Sequence, residues 1–317
     1  MRRTLLKAGT AAVGVLGLSA ATNRVLSDRA GELAPPLPGE TKTDRWRGLD
    51  VSYTEAGDRD DRDLLLLHGI NAAGTSREFE PIFDRLAENY HVVAPDLPGF
   101  GLSDRPPLVY SGSLYESFVR EFAGEVTENP VCVAVSLTAA YALGAADEVD
   151  FDRLVLVCPT ATTVPGRRLW VRTLMRSPVL GQAVFNLIAS KPSISYFEAD
   201  HGYYDPDKKP DGMADYQWQT AHQRGARYAP ASFVSGYLDS DLDVAEAISN
   251  LAVPVTLVWG READLMPLSD GRDLAETANC RLVVVDYAKL QPHAEHPDAF
   301  LELLDDELAA STRESSG

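Results

Sequence analysis

Val131-Cys132-Val133-Ala134-Val135-Ser136-Leu137-Thr138-Ala139-Ala140-Tyr141-Ala142-Leu143-Gly144-Ala145-Ala146 is the stretch on which the fold turns. Five small or β-branched apolar residues predict a short strand covered on both faces, and the alanine- and leucine-rich run after Ser136 predicts a helix. Ser136 stands at the junction, so the spacing places its hydroxyl where the strand stops and the helix starts. The plain alternative for a serine in that place is that it caps the helix.

The same rhythm extends outward on both sides. Leu64-Leu65-Leu66-Leu67 predicts another doubly covered strand, closed by His68-Gly69 and a polar loop at 71–75. Phe79, Ile82, Phe83 and Leu86 recur at helical spacing and predict a helix over 76–88. Further strands are expected at 46–53, 90–94, 153–158, 254–259 and 281–285, with helices at 114–126, 269–277 and 297–308. This alternation predicts an α/β fold, a mostly parallel central sheet with flanking helices. Residues 166–245 break the rhythm and are rich in aromatic residues, among them Trp170, Phe185, Tyr196, Trp218 and Phe233. They predict a helical lid insertion over the strand ends, the alternative being extra helices packed on the body. The divisions expected are a possible signal or N-terminal helix at 1–29 and a linker at 30–42 marked by Pro35, Pro36 and Pro38. Core segments follow at 43–165 and 246–310 around the lid, then a flexible tail at 311–317.

Composition narrows the function classes. The chain has 317 residues and a net charge of -18 from 47 acidic and 29 basic side chains. That surface repels nucleic acid and anionic lipid headgroups, so neither is an expected partner. Only six of the basic residues are lysines, and the acidic, arginine-rich balance reads as halophilic or as an ordinary acidic protein from a GC-rich genome. Cys132, Cys158 and Cys280 are an odd number set in or beside apolar runs and read as buried thiols. No Cys-x-x-Cys or His-Glu-x-x-His pattern occurs, and Gly99-x-Gly101 lacks the third glycine of a dinucleotide loop, so no metal and no cofactor are expected. The N-terminus, Met1-Arg2-Arg3-Thr4-Leu5-Leu6-Lys7 before a small-residue apolar run at 8–21, resembles a twin-arginine export signal. The same residues also read as a helix docked on a cytoplasmic protein, and both localisations stay open.

Leu64-x-x-x-His68-Gly69, Asp96-x-Pro98-Gly99-x-Gly101-x-Ser103, the strand-Ser136-helix unit, Val253-Pro254-Val255-x-x-x-Trp259-Gly260 and Glu295-His296-Pro297 together resemble the α/β-hydrolase superfamily over residues 45–310, in a haloarchaeal-like branch. The resemblance implies that Ser136 occupies the position of the nucleophile in a G-x-S-x-G elbow, here Ala134-Val135-Ser136-Leu137-Thr138. It implies an oxyanion hole from the backbone N–H groups of Ile70 and Leu137, with His68 supporting the loop that carries Ile70. The family's acid lies in W-G-x-x-D-x-x-x-P. Trp259-Gly260 and Pro267 put Ala263 in that slot, with Asp264 one residue on and Glu262 one before. The histidine lies in G-H-x-x-x-x-E-x-P, and Glu295 and Pro297 put Leu290 in its slot. His293 is three residues further on, where many relatives carry a second histidine, and His296 reads as a surface residue at a helix start. The triad is thus degenerate, with Asp264 and His293 as the stand-in acid and base.

Two functions follow as expectations. One is a hydrolase of an ester or other small apolar substrate using Ser136 with a nonstandard base. The other is a non-catalytic ligand-binding or scaffold protein that keeps the fold. A third, chemistry in the pocket without a covalent serine, has no cofactor pointing to it. The expected partner is a small, apolar molecule, and oligomeric state is left open.

Overall fold

The structure is a computed structural model that describes residue 17 and residues 19–314, with side chains described to residue 306. The basic N-terminal stretch and most of the 8–21 run, on which the export reading rests, lie outside the described residues. Residues 19–30 are helical, and Asn23 there donates to the Val179 carbonyl at 3.2 Å and accepts from Asn186 at 2.8 Å. Among the described residues no helix is long and apolar enough to cross a membrane.

Eight strands build one sheet: β1 (Glu40–Trp46), β2 (Leu49–Ala56), β3 (Asp63–Leu67), β4 (His91–Pro95), β5 (Val131–Val135), β6 (Arg153–Val157), β7 (Val255–Gly260) and β8 (Arg281–Val285). Their order across the sheet is β1-β2-β4-β3-β5-β6-β7-β8. The six strands from β4 to β8 run parallel, and β1 and β2 form an antiparallel hairpin at the β4 edge. That hairpin replaces the single strand expected at 46–53. Arg47 and Gly48 both adopt positive φ, 46° and 86°, as in the tight turns that match strand twist. Glycine does so freely, and the Arg47 guanidinium rests on Glu121, with Nε donating at 3.0 Å. β1 escaped the pattern because an edge strand with one face in water needs no apolar run.

The uniform leucines of β3 are explained by two separate cores. Leu65 and Leu67 face one side with Cys132, Ala134, Leu154 and Leu156, covered by helices Gly112–Val126 and Thr138–Ala145. Leu64 and Leu66 face the other with Val131, Val133 and Val155, covered by helices Glu80–Leu86 and Pro297–Glu314. Each fully buried leucine contributes about 1.5–3 kcal/mol of burial, so no position of β3 after Asp63 tolerates a polar side chain cheaply. Between β6 and β7 the chain makes six α-helices, from Leu169–Arg176 to Val244–Asn250. Met175, Phe185, Ile194 and Ala221 there share a core with Ala73 of the loop after β3. Trp170 and Tyr196 are 70% and 69% exposed, so the aromatic residues of this segment divide between packing and surface.

The Asp96 turn ties these parts together. The Asp96 carboxylate accepts from the Ser76 N–H at 2.8 Å, the Ser76 and Thr75 hydroxyls at 2.9 and 3.1 Å, and the Leu102 N–H at 2.8 Å. Gly101 sits over that carboxylate at φ 48°, where a Cβ would fall 1.9–2.2 Å from its atoms. G101A therefore combines left-handed backbone strain with expulsion of a buried, four-bonded carboxylate. Urea unfolding of G101A is expected to show a loss of at least about 3 kcal/mol; a loss below about 1 kcal/mol means the turn relaxes without cost.

Candidate active site

Ser136 directly follows β5, with Leu137 between it and helix Thr138–Ala145, and its backbone is left-handed at φ 57°. Such a conformation costs a non-glycine residue about 1–3 kcal/mol and persists only where neighbours impose it. Here the Ser136 N–H donates to Val157 of β6 at 2.8 Å. Thr138 stands where the G-x-S-x-G pattern has glycine, and its hydroxyl does more than fit. It accepts from the Val135 N–H at 3.1 Å and donates back to the Val135 carbonyl at 2.7 Å. The threonine thus closes the elbow with a side chain where glycine closes it by lacking one. No described hydrogen bond uses the N–H of Ile70 or Leu137, so both amides are available to an incoming oxygen.

His68 is fully buried behind this loop. The Leu97 N–H donates to its Nε2 at 3.0 Å, which makes Nδ1 the protonated nitrogen, and Nδ1 donates to the Gly69 carbonyl at 2.8 Å. Burial holds its pKa below the ordinary value, against the opposing charge of Asp96, so the imidazole joins the two loops as a neutral bridge.

Ser136, Ile70 and Leu290 line one cavity of about 470 Å³, roofed by residues of the β6–β7 segment such as Ile188, Phe197 and Phe233. Asp264 and His293 do not line it. Asp264 accepts from His201 Nδ1 at 3.0 Å. Burial raises its pKa somewhat, but His201 outweighs this and holds the carboxylate below its usual range. Glu262 instead accepts the Ala288 N–H at 3.1 Å. Ala263 is buried with Cys158 and Trp259, and Trp259 donates to the Met266 carbonyl at 2.7 Å, fixing the loop. His293 is enclosed by Phe79 and Phe300, and neither ring nitrogen has a described hydrogen-bond partner. His296 reaches the Tyr287 carbonyl at 2.8 Å.

Two carboxyls absent from the sequence reading line the same cavity as Ser136. Glu78 accepts the Gly69 N–H on Oε1 at 3.0 Å, leaving Oε2 without a described partner, and His293 Nε2 lies 3.9 Å from Oε1. Gly69 is wedged between Glu78 and Val135, the residue before the serine: a Cβ there would meet the Val135 side chain at 3.3 Å and Glu78 Oε2 at 3.7 Å. Glu198, on the short turn Glu198–Gly202, accepts from Gln217 Nε2 at 2.9 Å. Neither glutamate belongs to a motif. Glu78 falls inside a helical pattern read only for its apolar positions, and no spacing signal pairs it with residue 136 or 198.

Burial, assisted by the Glu198 charge, pushes the Glu78 carboxyl up to about 8 against the pull of the Gly69 N–H, and burial pushes His293 down to about 3. Both groups are therefore neutral near pH 6. Among the described residues no group of three or more His, Cys, Asp or Glu side chains is arranged to hold a metal ion, and the three cysteines are free thiols.

A buried carboxyl and strained serine at the C-terminal ends of parallel strands, beside two free amides, define a protein of the α/β class built around a strand-serine-helix turn. The chain belongs to the alpha/beta hydrolase family, whose profile matches residues 64–303. It is 25% identical to a pimeloyl-[acyl-carrier protein] methyl ester esterase of Aliivibrio salmonicida over 246 residues, 75% of this chain and 89% of that protein. A shorter match, 42% over 59 residues, is to an uncharacterised hydrolase of Saccharomyces cerevisiae and spans 19% of this chain and 20% of that one. Among solved structures, a serine hydrolase involved in carbazole degradation superposes with a TM-score of 0.68 at 18% identity, over 86% of this chain and 99% of that one.

The paired shifts set a pH signature. Folded Glu78 keeps its proton to about pH 8 while the unfolded group loses it near 4.5, so its stabilising contribution is complete below 4.5 and is lost as pH rises toward 8. Folded His293 refuses a proton until about pH 3 while the unfolded group takes one near 6.5, so its contribution is complete above 6.5 and is lost as pH falls toward 3. The slopes oppose each other between 4.5 and 6.5. Stability measured by denaturant unfolding is expected to fall by on the order of 2 kcal/mol between pH 6.5 and 8, and E78Q to flatten that fall. An unchanged slope in E78Q rules out a protonated Glu78. At the elbow, T138V is expected to cost about 0.5–1.5 kcal/mol through loss of the hydroxyl's bonds to the Val135 N–H and to the Val135 and Leu67 carbonyls, with T138S keeping most of the wild-type stability; equal losses would show that the hydroxyl is idle.

Proposed function

We propose that this protein hydrolyses an ester, or a closely related acyl compound, of a small and largely apolar molecule, with Ser136 as nucleophile and Glu78 as the base. The observation that carries this reading is the shared cavity: Ser136 and Glu78, whose Oε2 has no described hydrogen-bond partner, line one space together with Ile70. The β6–β7 segment acts as the lid over that space, in keeping with the expected insertion at 166–245. The Aliivibrio salmonicida relative is named as a methyl ester esterase, which supports ester chemistry for a chain of this organisation.

In this mechanism the Ser136 hydroxyl oxygen attacks the ester carbonyl carbon as its proton passes to the Glu78 carboxylate. The carbonyl π electrons move to oxygen, and the N–H groups of Ile70 and Leu137 hold the oxyanion. Collapse expels the alkoxide, which takes the proton from Glu78 and leaves as the alcohol. Water then repeats the sequence on the acyl-serine, releasing the acid and restoring the hydroxyl. A carboxylate with an ordinary pKa is a feeble base for this step, and burial makes Glu78 a stronger one at the cost of leaving only about a tenth of it ionised at pH 7.

One observation favours the second reading, a ligand-binding protein that no longer hydrolyses. Leu290 lines the cavity in the slot of the family histidine, and among the described residues no side chain hydrogen-bonds the Ser136 hydroxyl. A fluorophosphonate probe separates the two. Wild type is expected to label at Ser136 and S136A not at all, with labelling rising about tenfold per pH unit toward pH 8 and levelling above it. E78Q is expected to lower the rate about 10²–10⁴-fold and remove the pH dependence. Folded wild type that never labels establishes the binding protein, and labelling indifferent to E78Q removes Glu78 as base.

A further inference from the structure

The cavity beneath the β6–β7 segment carries an imbalance that serine chemistry does not use. Its lining is mostly apolar, with Val135, Ile188, Ile194, Phe197, Phe233 and Leu290 among the contributors. Set into that wall are Glu198 and Gln217, which are 3% and 6% exposed. One hydrogen bond joins them, from Gln217 Nε2 to Glu198 Oε1. The remaining acceptors, Glu198 Oε2 and Gln217 Oε1, are both buried with no partner. Two orphaned acceptors on hydrogen-bonded neighbours that line a cavity are costly to keep, because each has given up water without gaining a donor. Burial raises the Glu198 pKa against the opposing hydrogen bond from Gln217 and the charge of Lys209, and no described hydrogen bond joins Lys209 to the carboxyl, so an ammonium placed there would supply the donors that keep it ionised. Glu78 lines the same cavity, so two carboxyl groups share it with the Gln217 amide.

We propose that Glu198 and Gln217 form a headgroup subsite for a protonated primary amine whose alkyl or aryl body fills the apolar remainder of the cavity. An ammonium brings three donors and no acceptor, which is the complement of a carboxylate oxygen and an amide oxygen that both lack donors. A hydroxyl brings one donor and no charge, and a carboxylate is repelled. Hydrogen bonds to a charged group in a site closed off from water are worth more than neutral ones, so the preference for ammonium over alcohol is sizeable. The volume of about 470 Å³ accommodates a small ligand of this kind. The subsite concerns which molecule is held, and it stands apart from whether Ser136 turns that molecule over.

The test is calorimetric binding of n-hexylammonium, 1-hexanol and hexanoate to the full chain carrying S136A, so that loss of hydrolysis has no bearing on the readout. Hexylammonium is expected to bind at least about tenfold more tightly than hexanol, with hexanoate weakest, and adding E198Q is expected to bring the ammonium-to-alcohol ratio to within about twofold. A ratio near one in the S136A protein overturns the subsite, as does a hexanoate preference, which would point to the Ile70 and Leu137 amides as the only polar recognition. A tenfold ratio that survives E198Q in a protein with an unaltered melting profile also overturns it. If E198Q fails to fold, the ratio in the S136A protein decides the matter by itself.

Discussion

A serine held in left-handed backbone geometry is the constraint from which the rest of this molecule follows. Ser136 cannot relax to an ordinary conformation without breaking the bond from its N–H to β6 or moving the helix that begins two residues later. That helix packs Ala139, Tyr141 and Ala142 into the core on one face of the sheet, so local strain is balanced by burial spread over many side chains. Thr138 then closes the turn from within, its hydroxyl accepting from the Val135 N–H. Strain of this kind has a consequence for chemistry: it lifts one hydroxyl clear of the strand and leaves the adjoining amides of Leu137 and, across the loop, Ile70 unspent.

Around that turn the structure uses neutral hydrogen-bonding groups where exposed proteins use charges. His68 links Leu97 to Gly69 as an uncharged imidazole. Glu78 and His293 meet at 3.9 Å, with burial raising one pKa and lowering the other until both are neutral near pH 6. Under the proposed mechanism this has a direct cost and a direct gain, since desolvation that makes the Glu78 carboxylate scarce also makes it basic. Burial likewise leaves one acceptor each on Glu198 and Gln217 without a hydrogen-bond partner.

The segment between β6 and β7 is registered on the sheet by the residues of a family motif. Glu295 Oε1 accepts the N–H groups of Tyr204 and Asp205 at 2.8 and 3.0 Å, and its Oε2 accepts that of Lys289 at 2.9 Å. One buried carboxylate thereby fixes the wall bearing Glu198 relative to the loop bearing Leu290. Tyr203 adds a second tie by donating to Gln291 Oε1 at 2.8 Å.

Short apolar runs and small-residue turns determined the sheet. Val131–Val135 was legible to the residue because both faces of a central parallel strand must be apolar, and Arg281–Val285, though an edge strand and only half-buried, was legible from its run of β-branched residues. The sequence likewise placed Ser136 at the junction between strand and helix. It had no means of showing β1, whose edge position removes the apolar signal, or that Arg47 at the hairpin turn would bond Glu121, a distant residue. Nor did it show that Asp264 would bond His201, or that Glu78 and Glu198 would line the space beside Ser136. Hydrophobic periodicity is a local property written along the chain. The company a polar side chain keeps, and the pKa that company gives it, is decided only when residues 78, 136, 198 and 217 are folded around one cavity.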